Sequence, residues 1–398
     1  VRIRVKRPTE SESESEGRKM KHLKVGGSTA ARTLKCPGWI KASENIPRRP
    51  AGQAAIDGSM HHEIMELCQK KGTAPKDYLG FVYKENGQSR EFGVDDLDLS
   101  NIAHTVTNTI MDDLDIDQLE VEPFLQYIKG SVGGSTDLLG LSEDGKTLLS
   151  LDYKFGRNKV VAKNNAQLMF YPMCARRDSK TSDMFSKVEK LVLVIVQPQV
   201  KGVVDTWECS IEDLNTFETE FNKALDQVYL KTDVRTPGSH CNWCPAAPYC
   251  ETKRLNVMAS SLLGAKERND LQAAANVITE VEDWLKMMKE EMYMQLNRGV
   301  SLDGWKIIDK RATRKWIDDM ATAKALANCK ELSEQDVFKS TLLTPPAMEK
   351  VIKKKKVDLD LSDFIVSESS GTTLAPADHA SPAVIVTDVQ GHLKDIMK

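Results

Sequence analysis

Residues 133–171 read GGSTDLLGLSEDGKTLLSLDYKFGRNKVVAKNNAQLMFY, and the fold turns on how this stretch is read. Two apolar runs, Leu138–Leu141 and Leu148–Leu151, flank Glu143-Asp144-Gly145-Lys146. Asp-Gly between strand-like runs is a strong hairpin signal, because a tight primed turn takes positive φ at both central residues. With Asp144 and Gly145 at the tip, Asp137 faces Asp152, their Cβ atoms roughly 5 Å apart on one face of the sheet. Lys154 lies two residues beyond Asp152 and projects to that same face. Opposed carboxylates repel unless a cation lies between them. A divalent ion held by oxygen ligands removes the conflict, and a neighbouring lysine can stabilise charge on a phosphate. Spacing alone equally permits two solvated acids neutralised by the lysine.

The pattern Asp137-x14-Asp152-x-Lys154, followed by Gln167-x3-Tyr171, resembles the PD-(D/E)XK nuclease core of the RecB type. The segment Asp152-Tyr153-Lys154-Phe155-Gly156, with Asn165-x-Gln167-Leu168 and Tyr171, is similar to the branch of phage exonucleases and CRISPR adaptation nucleases. The resemblance implies an α/β fold, a restriction-endonuclease-like core with a mixed central sheet and a mainly helical C-terminal domain. It also implies that Asp137 and Asp152 bind Mg²⁺ or Mn²⁺, with the Tyr153 carbonyl as a further ligand, and that Lys154 assists phosphodiester hydrolysis. Gln167 and Tyr171 are four apart and share a helix face. In the family that pair lines the DNA path; the tyrosine could equally be core.

Ahead of the hairpin, the apolar positions Met60, Ile64, Met65, Leu67 and Cys68 predict a buried helix after Gly58. A lone histidine on such a helix is ordinarily structural. Gly58-x3-His62-x3-Glu66, however, resembles the family element whose histidine completes the metal shell. That role passes to His62, with His61 one residue away and Glu66 as a candidate to orient the imidazole. Glu120-Val121-Glu122-Pro123-Phe124 leads into a strand, and Glu122 there either approaches the metal or forms a strand-end salt bridge. Asn164–Arg176 and Asp213–Leu230 read as helices, and Lys190–Val196 and Val203–Cys209 as strands, an alternation that an α/β core requires.

Cys241-x2-Cys244-x5-Cys250 places three thiols close together, and a closed tetrahedral site or a cubane cluster needs a fourth. His240 and Cys36 are the candidates. The C…C-x2-C-x5-C order of the iron–sulfur members of the resembled family implies Cys36, and with it a [4Fe–4S] cluster on Cys36, Cys241, Cys244 and Cys250. Four thiolates by themselves also suit a structural zinc ion. The other cysteines, Cys68, Cys174, Cys209 and Cys329, read as small core residues.

The 398 residues carry a net charge of −3, so no global cationic field grips nucleic acid; DNA binding must use a local surface or the metal site. No apolar run reaches membrane-spanning length and no signal peptide is visible, which points to a reducing cytoplasm, a bacterial host's if the gene is a phage's. Residues 1–20 are a charged, low-complexity leader with a Ser-Glu alternation, 21–254 the nuclease domain, 255–366 a mainly helical accessory domain and 367–398 a loose tail. Within the accessory region, Leu271, Ala274, Ile278, Val281, Leu285, Met288 and Met292 form a seam of alternating three- and four-residue steps, suited to packing or to self-association. The basic, Trp-flanked segment Trp305–Trp316 could grip a phosphate backbone or form a solvated face; Lys353–Lys356 reads as solvated surface.

The function expected from these readings is a metal-dependent DNA exonuclease. The resemblance implies attack from a 5′ end, in phage recombination or DNA processing, alongside a recombination partner protein. The alternatives are a non-catalytic DNA-end-binding or partner-binding module, or a zinc-stapled interaction protein. The last leaves Asp137, Asp152 and Lys154 unexplained.

Overall fold

The computed structural model describes residues 4–5, 23–47, 52–85, 87–266, 271–337, 342–357, 359–369, 371–376 and 381–384. Most of the expected leader lies outside them, except that Arg4–Val5 pair in parallel with Gln118 and Leu119. The chain divides into two compact units, Val1–Leu263 and Gly264–Lys398.

The first unit is a mixed α/β fold. Its helices include α1 (Gly27–Lys35), α2 (Gln53–Lys71), α3 (Val94–Asp113), α4 (Ala166–Arg177) and α5 (Ile211–Tyr229). The central sheet takes β1 (Ile116–Val121), β2 (Leu138–Ser142), β3 (Thr147–Tyr153), β4 (Lys190–Val196) and β5 (Val204–Ser210), in that order across it. Neighbours are antiparallel except β3 and β4, which run parallel from Thr147↔Lys190 to Tyr153↔Val196. A parallel neighbour needs a crossover, and the chain from β3 to β4 supplies it through α4. Sheet order and mixed direction agree with the alternation read from the sequence.

The hairpin register is the expected one: Leu138 pairs with Leu151, Leu139 with Ser150 and Leu141 with Leu148. The turn differs in kind. Only Gly145 takes a positive φ, 74°, and its N–H donates to the Ser142 carbonyl at 2.9 Å. Asp144 instead spends its carboxylate inside the loop, accepting from the Lys146 N–H and the Ser142 hydroxyl. One glycine in the left-handed region is enough for a loop of this length, so the ladder survives although the primed turn does not.

Both sheet faces are covered, which is why these strands are apolar almost throughout. Leu138, Leu149, Leu151, Tyr153, Val192 and Val194 pack on one face with Met65 of α2 and Ala103 of α3. Leu139, Leu141, Leu148, Leu191, Leu193 and Ile195 pack on the other with Phe170 of α4 and Phe221 of α5. Strand alternation therefore aims Asp152 at the side where α4 lies. Helix α2 begins at Gln53, five residues ahead of the expected start, runs through Gly58 and stops at Gly72, whose φ is 65°. Nothing lies within 4 Å of a Cβ at Gly58, so the residue neither breaks the helix nor meets a neighbour.

The second unit holds α6 (Leu271–Asn297) and two strand pairs, β6 (Trp305–Asp309) with β9 (Thr372–Pro376) and β7 (Thr313–Trp316) with β8 (Ile365–Glu368). Ile365–Glu368 and Thr372–Pro376 are the strands of these pairs nearest the end of the chain. The basic segment is strand rather than an open aromatic grip. Trp316 is buried with its indole N–H on the Leu343 carbonyl, and Arg314 is engaged by Glu349. In α6, Ile278 and Leu285 of the seam are exposed, at 55% and 43%; the side chains of Leu271 and Ala274 lie outside the described residues. Cys68, Cys174 and Cys209 are core, whereas Cys329 is only partly buried, beside Glu331. No helix among the described residues is long and apolar enough to cross a membrane.

Candidate metal centre and cysteine cavity

Four elements bring the site together. The hairpin supplies Asp137, just before β2, and Asp152 and Lys154 at the end of β3. Asp137 is locked from two sides: its Oδ2 accepts the Tyr153 N–H at 2.6 Å and its Oδ1 lies 2.9 Å from His62 Nδ1. Asp152 Oδ2 is 2.7 Å from the Lys154 ammonium, and its Oδ1 accepts from Gln167 Nε2 at 2.8 Å. Gln167 closes the loop, its Oε1 accepting from Lys154 at 3.2 Å. Asn165 caps α4 by accepting the N–H groups of Gln167 and Leu168, which fixes where Gln167 starts.

Of the two adjacent histidines, α2 points His62 at Asp137. His61 is buried against Phe155, with centroids 4.6 Å apart, and meets Ser100. Glu66 does not orient the imidazole; one turn further on, it pairs with Lys70. Tyr171 is 5% exposed and packs in the core, so it is not part of an open path; its hydroxyl accepts from the Gln167 amide at 3.2 Å and steadies it.

Glu122 is the residue whose role the sequence left open. It follows β1 with a φ of 52°, in the left-handed region, and its N–H donates to the Asp137 carbonyl at 2.9 Å. That conformation costs energy in a non-glycine residue and turns the chain so that the carboxyl hydrogen-bonds Asp137 rather than a strand-end cation. The only sequence signal was an acid placed between a strand and Pro123.

Ligand atoms of His62, Glu122 and Asp137 all lie within 4.8 Å of one another, and among the described residues no other group of three His, Cys, Asp or Glu does so. Asp152 stands outside that group, held by Lys154 and Gln167. Burial, and then the Asp137 carboxylate beside it, push Glu122 up to about 10. Burial works against the Asp137 charge too, but His62 and the Glu122 hydrogen bond outweigh it and hold Asp137 low. His62 would be lowered by burial, yet Asp137 keeps it above its ordinary value. Asp152 is raised by burial, opposed by Lys154 and reinforced by Asp137, so the two aspartates act on one another. Crowding three carboxyl groups into a small buried space favours the protonated form of Glu122, and a divalent cation would take that proton's place. Two carboxyl oxygens and an imidazole form a donor set that suits such an ion.

The four cysteines meet elsewhere. Cys36 at the C-terminal end of α1 and Cys241, Cys244 and Cys250 line a single cavity with Arg32. Burial raises the Cys36, Cys241 and Cys244 thiols, and sulfur acts on sulfur in each case. No three of the sulfurs lie within 4.8 Å of one another. His240, the other candidate fourth ligand, turns its Nε2 to the Thr236 carbonyl at 2.8 Å.

A family described as "Protein of unknown function (DUF2800)" matches residues 22–382. The chain belongs to the DUF2800 family. Among solved structures, this DUF2800 chain is similar to the crystal structure of SSO0001. Identity is 14%, covering 58% of this chain and 90% of that one, with a TM-score of 0.27. It is also similar to the crystal structure of protein VC1899 from Vibrio cholerae, again at 14% identity, covering 55% and 57%, with a TM-score of 0.17.

In the DUF2800 chain, α1 reaches from the cysteine cavity to Tyr171. A Cβ at Gly27 would stand 2.5 Å from the tyrosine ring and hydroxyl, a contact no side chain tolerates. Gly27→Ala is therefore expected to destabilise the first unit by about 1–3 kcal/mol, as overpacking does, and to loosen Gln167 through Tyr171. A thermal melt checks it; an unchanged midpoint would mean that α1 can shift freely.

Proposed function

We propose that this protein is a metal-dependent deoxyribonuclease with a PD-(D/E)XK core, hydrolysing phosphodiester bonds from DNA ends. The reading is carried by one observation: Asp137 and Asp152 at the open end of one hairpin, close enough for their charges to act on one another, with the Lys154 ammonium 2.7 Å from Asp152. Mg²⁺ or Mn²⁺ would be held by Asp137, His62 and Glu122, with Asp152 and the Tyr153 carbonyl completing the shell. When bound, the ion supplies Lewis-acid polarisation of the phosphate and acidifies the attacking water.

The chain's own groups do the rest. Lys154, kept charged because Asp152 outweighs its burial, offsets negative charge developing on the phosphate. Gln167 holds Lys154 and Asp152 in fixed rotamers, and Tyr171 holds Gln167, so the amine is pre-positioned. Water attacks phosphorus, one P–O bond of the DNA breaks, and the leaving oxygen takes up a proton.

The test is degradation of end-labelled linear duplex and single-stranded DNA with Mg²⁺ or Mn²⁺, beside covalently closed circles. Metal-dependent release of labelled nucleotides from linear DNA alone is expected. Binding of ends without cleavage would replace the enzyme by an end-binding module; cutting of circles would replace exonuclease by endonuclease.

Cys36, Cys241, Cys244 and Cys250 are read as ligands of a [4Fe–4S] cluster, with zinc the lesser alternative. Thiolates on one zinc sit about 3.8 Å apart, given Zn–S bonds of about 2.3 Å, whereas no three of these sulfurs lie within 4.8 Å of one another. The cluster would tie α1 to residues 241–250. Cys244→Ser is expected to lose soluble, cooperatively melting protein before it loses activity per folded molecule. Full stability in that variant would remove the structural role.

A further inference from the structure

Arg32 sits on α1, where its carbonyl accepts the Cys36 N–H at 2.8 Å, and is only 8% exposed. Its guanidinium donates to the Trp243 carbonyl and lies over the Trp39 ring at 4.6 Å, while its Nε is buried with no hydrogen-bond partner. Burial works against its charge, and the groups close enough to offset it if ionised are the sulfurs of Cys244, Cys241 and Cys36. Lys253, 3% exposed, lines the same cavity and acts on Cys241. Arg235 also lines it, but is paired with Asp233.

A guanidinium does not shed its proton, so burying one requires a compensating negative charge. Neutral thiols provide none. Four thiolates around a divalent ion, or around a cubane core of the same charge, leave two negative charges in excess. Arg32, buried against the same cysteines, carries one positive charge against them. We propose that Arg32 is the counter-cation of a doubly negative, four-thiolate metal centre held by Cys36, Cys241, Cys244 and Cys250. The inference rests on the reading of these cysteines as ligands. Arg32 is a positioning residue: it touches the thiolates' field, not the metal, and its donor to Trp243 fixes the loop between Cys241 and Cys244.

The experiment uses full-length protein purified anaerobically as wild type, Arg32→Gln and Arg32→Lys. Iron, zinc and acid-labile sulfide are measured per chain, with the visible spectrum and the rate of metal release to a chelator. Arg32→Gln should release metal about tenfold faster or more, the size of effect expected from neighbours of metal ligands, while Arg32→Lys stays near wild type. If the metal is iron, the Gln variant should also reduce at lower potential, because a positive charge beside the cluster has gone. A folded Arg32→Gln protein with wild-type metal content and release rate overturns the proposal. Should that variant be insoluble, Arg32→Lys decides: loaded and stable supports a charge role, insoluble or metal-poor shows that shape alone matters. Wild-type protein holding neither iron nor zinc overturns both this inference and the ligand reading beneath it.

Discussion

Asp137→Asn is expected to lower Mn²⁺-dependent DNA hydrolysis by about 10³-fold, the scale on which removing one charge-stabilising group acts, with the fold retained. Asparagine is the informative substitute. Asp137 accepts the Tyr153 N–H at 2.6 Å, and an alanine would orphan that buried donor at a cost of about 1–3 kcal/mol. The amide oxygen of asparagine can keep the bond while the ligand charge is lost. Asp152→Asn and Lys154→Ala should each fall far below wild type as well, since Asp152 anchors the Lys154 ammonium that the proposed reaction sets against the phosphate. Far-UV circular dichroism and a thermal melt establish folding, and end-labelled DNA reports the rate. A folded Asp137→Asn enzyme cutting at the wild-type rate would leave the nuclease reading without its central group.

The second large effect is a split between stability and metal response at Glu122. Burial and then Asp137 push its carboxyl up to about 10, which favours the protonated form hydrogen-bonded to Asp137. A glutamine amide donates in the same way. Glu122→Gln is therefore expected to melt within about 0.5 kcal/mol of wild type when metal is chelated, as a change that breaks no buried interaction does. With Mn²⁺ the outcome diverges. Wild type gains stability through binding, and the variant, lacking a ligand charge, should require roughly 10–100 times more Mn²⁺ for the same rise. Thermal melts across a Mn²⁺ titration measure both. Equal titration midpoints would remove Glu122 from the metal shell.

These two residues also mark where reading a sequence succeeds and where it stops. The hairpin register that carries Asp137 and Asp152 on its open end needed only an apolar alternation and a glycine that permits a turn, both encoded within a few residues of chain. Even the error at the tip, one positive φ instead of two, left the register intact, because burial on both faces makes a one-residue slip too costly. His62 was separable from His61 only through a resembled motif, since adjacent residues on a helix differ by about 100° in direction and nothing local says which faces the sheet.

Local sequence thus determined the hairpin, the helices that flank it and the cysteine spacing, because hydrogen-bond periodicity and turn chemistry act over short range. Tertiary structure alone decided that Glu122 turns toward Asp137, that Tyr171 is buried under Gly27 and props Gln167, and that Arg32 reaches the cysteine cavity. Each of those depends on contacts between segments far apart in the chain, whose energies arise only once the sheet and its covering helices have packed.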